Sequence, residues 1–170
     1  FSYALQLDKR DQKFQPKDGY ISTFFQSIPL NIEDNQTLTN SYEIKNYYEY
    51  FEDLVASLSI FTKAANSLGD EDVRVSDRLY LPSRKLRGFQ AGKVGPKDGG
   101  DYVGGNYLAA FNASSDLPLF ESLETIDFSV FYDAANVWGV DYSSTLDDSS
   151  TIRSSVGLGI DWYTPIGPLS

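Results

Sequence analysis

The chain has 170 residues, enough for one domain, and its 24 Asp and Glu outnumber its 14 Lys and Arg, for a formal net charge of −10. This acidic balance argues against a nucleic-acid partner, whose phosphates require a basic surface. The chain contains no Cys, His or Met, which excludes disulfides and the commonest catalytic base and transition-metal ligand, and the missing Met predicts a fragment of a longer protein.

Alternation of apolar and polar residues, the signature of β-strands, recurs along the whole chain. In chain order it predicts strands over residues 1–8, 20–30, 42–51, 54–64, 102–112, 126–139 and 152–163, and the last residues are expected to enter another. The alternation is clearest over 126–139, where one face is mostly apolar and ends in Trp138 while the other carries Asp127 and Asp133. No window has a convincing helical period, so the predicted fold class is all-β.

The lengths of these strands and their aromatic ends favour a membrane barrel. No apolar run approaches the roughly 20 residues of a transmembrane helix, but a transmembrane β-strand needs only about 9–11 residues and alternates in polarity. Trp138 and Trp162 end apolar faces, and Tyr20, Tyr42 and Tyr50 lie near strand ends, as in the aromatic girdles of such barrels. A soluble β-sandwich, with shorter strands, is the alternative that the same alternation allows.

The longest connection, at about residues 69–101, is the segment that most needs a functional explanation, because long loops without secondary structure are uncommon otherwise. It holds a basic patch consisting of Arg74, Arg78, Arg84, Lys85 and Arg87. The nearby acidic residues at 70–72 and 77 are predicted to neutralise most of this patch. The acidic run lacks the ligand spacing of a calcium-binding loop.

Several motifs carry a resemblance to a known family. They are Leu-Arg-Gly-Phe-Gln at 86–90, Val-Gly-Gly-Asn-Tyr at 103–107, Asp-Ala-Ala-Asn-Val-Trp at 133–138, Arg-Ser-Ser-Val-Gly at 153–157, and a first turn with Asp8, Arg10, Pro16 and Gly19. In this order and spacing the chain resembles the C-terminal barrel of the BamA family of outer-membrane protein assembly factors, within the superfamily of assembly and secretion barrels. The resemblance covers essentially the whole chain, and the loop motif together with the later Asp-to-Trp motif is specific.

The resemblance implies an antiparallel transmembrane β-barrel of sixteen strands. Residues 1–170 would form a partial outer-membrane barrel domain of about seven strands, and the loop at about 69–101 would fold inward into the lumen. Such a barrel inserts and assembles other β-barrel proteins in the bacterial outer membrane. Its partners would be unfolded outer-membrane proteins as substrates, accessory lipoproteins, and outer-membrane lipid and lipopolysaccharide. The resemblance implies no catalysis, cofactor, metal or nucleic acid.

The same resemblance implies a loop latch formed by Arg87, Gly88, Phe89, Phe131 and Asp133. Arg87 would contact Asp133 on the inner wall, with Phe131 beside it, since a guanidinium can bind a carboxylate through two parallel hydrogen bonds. Gly88 would let the backbone turn sharply, and Phe89 would dock on the wall. The alternation by itself also places Phe131 and Asp133 on one face.

One position departs from the family pattern. The Glu that is usual on the strand after the loop is replaced by Ser114, and Asp116 lies two residues further along. The second acidic contact of the latch is therefore in question.

Three alternatives remain open at this point. A sister barrel for translocation and assembly or for two-partner secretion would keep the fold and change the substrate. A porin-like passive channel would use the long loop as a constriction and Arg87 to set selectivity. A soluble carbohydrate-binding sandwich would fold without detergent.

Overall fold

The computed structural model describes residues 1–30, 37–117, 126–146, 150–164 and 167–169, from 161 onward as backbone only. Its strands in chain order are β1 (Ser2–Asp8), β2 (Gly19–Ser27), β3 (Thr37–Phe51), β4 (Leu54–Ser67), β5 (Lys97–Asp98), β6 (Asp101–Tyr102), β7 (Tyr107–Leu117), β8 (Ile126–Trp138), β9 (Arg153–Thr164) and β10 (Gly167–Leu169). Short 3-10 turns lie at Val75–Asp77, Ser83–Lys85 and Ser144–Leu146. In these ranges no helix has the length and apolar character that a bilayer crossing needs.

Eight of these strands form one antiparallel sheet in the order β1-β2-β3-β4-β7-β8-β9-β10. Each strand pairs with the next one along the chain, except that β5 and β6 form a small hairpin of their own within the connection from β4 to β7. The sheet does not close on itself within the described residues. The all-β, antiparallel fold class and each of the predicted strands are confirmed.

Three strand boundaries differ from the prediction by five residues. β3 begins at Thr37 instead of 42, and β7 runs over Tyr107–Leu117 instead of over 102–112. The later start of β7 has a local cause, because Gly104 adopts a φ of +70° and Gly105 forms a two-way backbone bridge with Leu79, at 2.8 and 3.0 Å. Gly105 thus pairs within the long loop, and the sheet strand begins only after it.

One face of the sheet, here called the outer face, is apolar and exposed. Val156 and Leu158 of β9 leave 74% and 75% of their surface exposed. The antiparallel register continues this face across the neighbouring strands, since Leu158 pairs with Val130 of β8, and Ile60 of β4 pairs with Phe111 of β7. An apolar face of this extent requires apolar surroundings, as in the lipid-facing wall of a membrane barrel.

Aromatic side chains lie at both ends of the sheet. At the turn between β3 and β4, Tyr48 and Phe51 are 65% and 69% exposed. At the opposite end, the rings of Tyr107 and Trp138 pack with their centroids 5.9 Å apart. The side chain of Trp162, the other Trp predicted to end an apolar face, lies outside the described residues.

The opposite, inner face is covered by the long loop at residues 68–106. The loop and the inner face form a small core whose buried members are Ala65, Val73, Leu79, Leu81, Leu86, Val94, Leu108, Ala110, Ala135 and Val137. Leu86 of the loop and Val137 of β8 have no exposed surface. Apolar burial on this side therefore attaches the loop to the sheet, and it places the loop's basic residues beside the wall.

Candidate functional site in the long loop

Arg87 and Asp133 form a bidentate ion pair between the loop and β8. The guanidinium donates from Nε to Oδ2 and from Nη2 to Oδ1 of Asp133, each at 2.8 Å, and the backbone N–H of Arg87 donates to Oδ2 at 3.0 Å. The Asp133 side chain has no exposed surface, and that of Arg87 is 38% exposed. A buried carboxylate requires such complete pairing, since desolvation otherwise disfavours its charged form.

Phe131 forms the platform under this ion pair. The Arg87 guanidinium carbon lies 3.6 Å from the centre of the Phe131 ring, within the range of a cation–π contact. Phe131 is paired in register with Gly157 of β9, and a Cβ at Gly157 would lie 2.6 Å from Cζ of the ring. Gly157 therefore provides the space that the ring occupies.

Gly88 and Phe89 shape the loop directly after Arg87. The N–H of Phe89 donates to the carbonyl of Leu86 at 3.3 Å, which closes a tight turn with Gly88 at its third position. Gly88 has a φ of +85°, as a type II turn requires there, and only one atom, Cβ of Ser155 at 4.0 Å, would meet an added Cβ. Its role is thus conformational, while Phe89 packs, partly buried, against the core.

A second ion pair, absent from the sequence-based prediction of the latch, lies beside the first. Nζ of Lys85 pairs with Oε1 of Glu43 on β3, and the Lys85 side chain is only 8% exposed. Nδ2 of Asn112 donates to the Lys85 carbonyl and to Oδ1 of Asp133, both at 2.9 Å, and so connects the two pairs. In the sequence, only the basic patch and the polar faces of β3 and β7 pointed toward this ion pair. Neither pattern identifies which carboxylate Lys85 contacts.

Ser114 and Asp116 lie outside this network. Oγ of Ser114 shares a hydrogen bond of 2.8 Å with Oγ of Ser57 on β4, and Oδ2 of Asp116 accepts from the backbone N–H of Val55 at 3.1 Å. The contact on β7 that reaches Asp133 comes instead from Asn112. This amide completes the hydrogen bonding of Asp133 without adding a second charge to Arg87.

A third cluster, around Asp141, anchors the two ends of the loop. Nη2 of Arg78 donates to Oδ1 of Asp141 at 2.8 Å, and Oδ2 of Asp141 accepts from the N–H of Val73 at 2.7 Å and from Nδ2 of Asn106 at 3.0 Å. The Arg78 guanidinium also lies 4.5 Å from the centre of the Tyr142 ring. Burial raises the pKa of the Asp141 carboxyl, but the hydrogen bonds from Asn106 and Val73 and the charge of Arg78 outweigh it, and the net shift is downward.

The basic patch is thus neutralised differently from the prediction. Arg78, Lys85 and Arg87 pair with Asp141, Glu43 and Asp133, all of them outside the loop. The expectation that the acidic residues at 70–72 and 77 neutralise these three cations is wrong, because the loop lies on the inner face, where it contacts Glu43 and Asp133 on strands of the wall and Asp141 directly after β8. Chemically, the arrangement is a set of clasps that hold the loop.

Comparison with known proteins identifies the same architecture. A family model described as the Omp85 superfamily domain matches residues 1–170. The chain is 32% identical over 174 residues to the outer membrane protein assembly factor BamA of Neorickettsia risticii, covering 99% of this chain and 23% of that protein. It is 27% identical over 106 residues to the human sorting and assembly machinery component 50 homolog, covering 61% of this chain and 23% of that protein.

Among solved structures, BamA from Haemophilus ducreyi lacking POTRA domains 1–3 matches with a TM-score of 0.81 at 22% identity. The match covers 98% of this chain and 36% of the other. The chain thus spans about a quarter of the length of the curated relatives it matches.

Proposed function

Because the chain belongs to the Omp85 superfamily, we propose that it is part of an outer-membrane barrel that inserts and assembles other β-barrel proteins in the bacterial outer membrane. The observation that carries this proposal is the match to an outer membrane protein assembly factor along 99% of the chain. The exposed apolar outer face and the aromatic strand ends support a position in lipid.

We assign the covered inner face to the barrel lumen and the long loop to a lumenal plug. In this assignment Arg87, Gly88, Phe89, Phe131 and Asp133 form a latch that keeps the loop docked while the barrel acts. The bidentate pair with a fully buried Asp133 supports it. The latch has a mechanical role and the barrel performs no catalysis. Its substrates are unfolded outer-membrane proteins, and its partners are accessory lipoproteins, lipid and lipopolysaccharide.

A charge exchange in the full-length protein tests this function. In cells that depend on the variant, Arg87→Glu and Asp133→Arg should each reduce the amount of folded barrel proteins in the outer membrane, because each leaves like charges facing each other. The double variant should restore part of it. Folded and unfolded barrels are distinguished by their heat-dependent mobility in gels.

Arg84→Glu is the matched control, because Arg84 lies in the same loop and is exposed. It should leave assembly unchanged. Normal assembly in both single variants, together with a conductance that they alter, would contradict the assembly function and favour a passive channel.

A further inference from the structure

Lys85 is a buried cation that the latch around Arg87 does not use. Its side chain is 8% exposed and pairs with Glu43, and Nζ lies 4.5 Å from the centre of the Phe61 ring on β4. A lysine side chain normally keeps its ammonium in water. Burial at this position is explained by the carboxylate and the ring, which together replace the lost hydration.

The two ion pairs attach neighbouring parts of the loop to distant strands. Lys85 and Arg87 flank Leu86, which is fully buried, so three consecutive residues face the wall. Glu43 lies on β3 and Asp133 on β8, with β4 and β7 between them. At roughly 4.8 Å per strand spacing, the two carboxylates are anchored on strands about 14 Å apart.

Asn112 of β7 makes the two pairs one unit. Its amide donates both to the Lys85 carbonyl and to Asp133. In the register of the sheet, Asn112 lies opposite Asp133, and Glu43 lies opposite Phe61. Every strand from β3 to β8 in the sheet therefore contributes a contact to Lys85 or to Arg87.

We propose that Lys85 is a second positioning residue of the loop, and that Lys85 with Glu43 and Arg87 with Asp133 form a brace across the inner wall from β3 to β8. The Lys85 pair fixes the loop to β3, and the Arg87 pair fixes it to β8. The brace holds the loop in its docked position. This proposal rests on the proposed function, since it takes the inner face as the lumen.

The test measures loop docking separately from assembly. The full-length protein, in outer-membrane vesicles, carries Val94→Cys in every variant, at a loop position that is only 1% exposed while the loop is docked, and the rate at which a thiol reagent labels this cysteine is followed. Labelling reports the fraction of molecules whose loop is released when opening is fast. Lys85→Glu should raise the rate by at least about tenfold, because it faces Glu43 with a like charge.

Four further variants decide the outcome. The double exchange Lys85→Glu with Glu43→Lys should return the labelling rate to within about threefold of that with Lys85 and Glu43 unchanged, as expected for a coupled pair. Lys93→Glu, at an exposed lysine of the same loop, should leave the rate unchanged. If Lys85→Glu fails to fold, Lys85→Gln should be labelled faster than Lys85→Arg, which keeps the charge.

An unchanged labelling rate in Lys85→Glu, the absence of rescue in the double exchange, or equal rates for Lys85→Gln and Lys85→Arg would overturn the brace. Assembly of other barrels is measured in the same variants. If Lys85→Glu releases the loop and the double exchange restores docking while assembly stays unchanged, the brace is supported and the proposed function is contradicted. The two failures are therefore distinguishable.

Discussion

At the scale of single residues, the inner wall is organised around a carboxylate that is fully shielded from solvent. Asp133 has no exposed surface and accepts three hydrogen bonds from Arg87 and one from Asn112. A lysine could not reproduce the planar fork that supplies two of these bonds and also stacks on Phe131. The residue type at 87 thus follows from the geometry of its partners.

Gly157 should tolerate no larger residue, because a Cβ there would lie 2.6 Å from Cζ of Phe131. We expect Gly157→Ala to displace the ring from under Arg87 and to lower the free energy of unfolding by about 1–3 kcal/mol. Urea unfolding of the full-length protein in lipid measures this. Ser154→Ala, at an exposed position of the same strand, is the control and should change little. Equal stability of the two variants would show that the ring has room to move.

At the scale of elements, the long loop is attached in its middle and at its ends. Its middle contacts β3, β7 and β8 through Lys85 and Arg87. Its ends are held by Asp141, which follows β8 and forms hydrogen bonds with Val73, Arg78 and Asn106. A loop of this length would cost much conformational entropy to order, and these contacts, together with the small core, offset that cost.

Asp141 should make the attachment of the loop's ends sensitive to acid. Its pKa is lowered from the ordinary value of 3.8, so its stabilising contribution is complete above that value and is lost as the pH falls through the lowered one. We expect Asp141→Asn to destabilise the protein by about 1–2 kcal/mol at neutral pH, where charged hydrogen bonds are lost. The difference from wild type should shrink below about pH 4. A difference independent of pH, measured by urea unfolding, would contradict this role.

At the scale of the whole molecule, the two faces of the sheet have opposite surroundings. The outer face keeps its apolar side chains exposed, while the inner face is covered by the loop and holds the core and the buried charges. In a soluble sandwich the face exposed to solvent is polar, and only the buried face is apolar. A wide exposed apolar face is expected when lipid replaces water on one side of the wall.

Adjacent residues of β1 provide a direct test of the two faces. Leu5 is 64% exposed on the outer face, and Gln6 lies on the inner face, where its amide donates to Oγ1 of Thr23 at 3.2 Å. We expect Leu5→Lys to destabilise the full-length protein in a bilayer by up to about 2–4 kcal/mol, the cost of a lysine on the lipid face at the midplane. Gln6→Lys should cost about 1 kcal/mol or less, the value of one exposed hydrogen bond. Equal costs in lipid-reconstituted unfolding would place both faces in the same surroundings.

The amino-acid sequence by itself determined the strands and their faces. A period of two is a local property, so the alternation in β8 and β9 identified which side chains share a face before any partner strand was known. The pairing of Arg87 with Asp133 could also be anticipated, although only through the resemblance of the surrounding motifs to a known family. The local alternation of the sequence does not by itself identify the residue that pairs with a loop arginine.

The tertiary structure alone decided which carboxylates neutralise the loop and where β7 begins. Glu43 and Lys85 are 42 residues apart in the chain, and their contact depends on the register of four strands and on the path of the loop over them. Gly105 lies within an alternating segment, yet it pairs with Leu79 of the loop. Such contacts arise from burying the loop on the inner face, and alternation along one strand carries no information about what covers it.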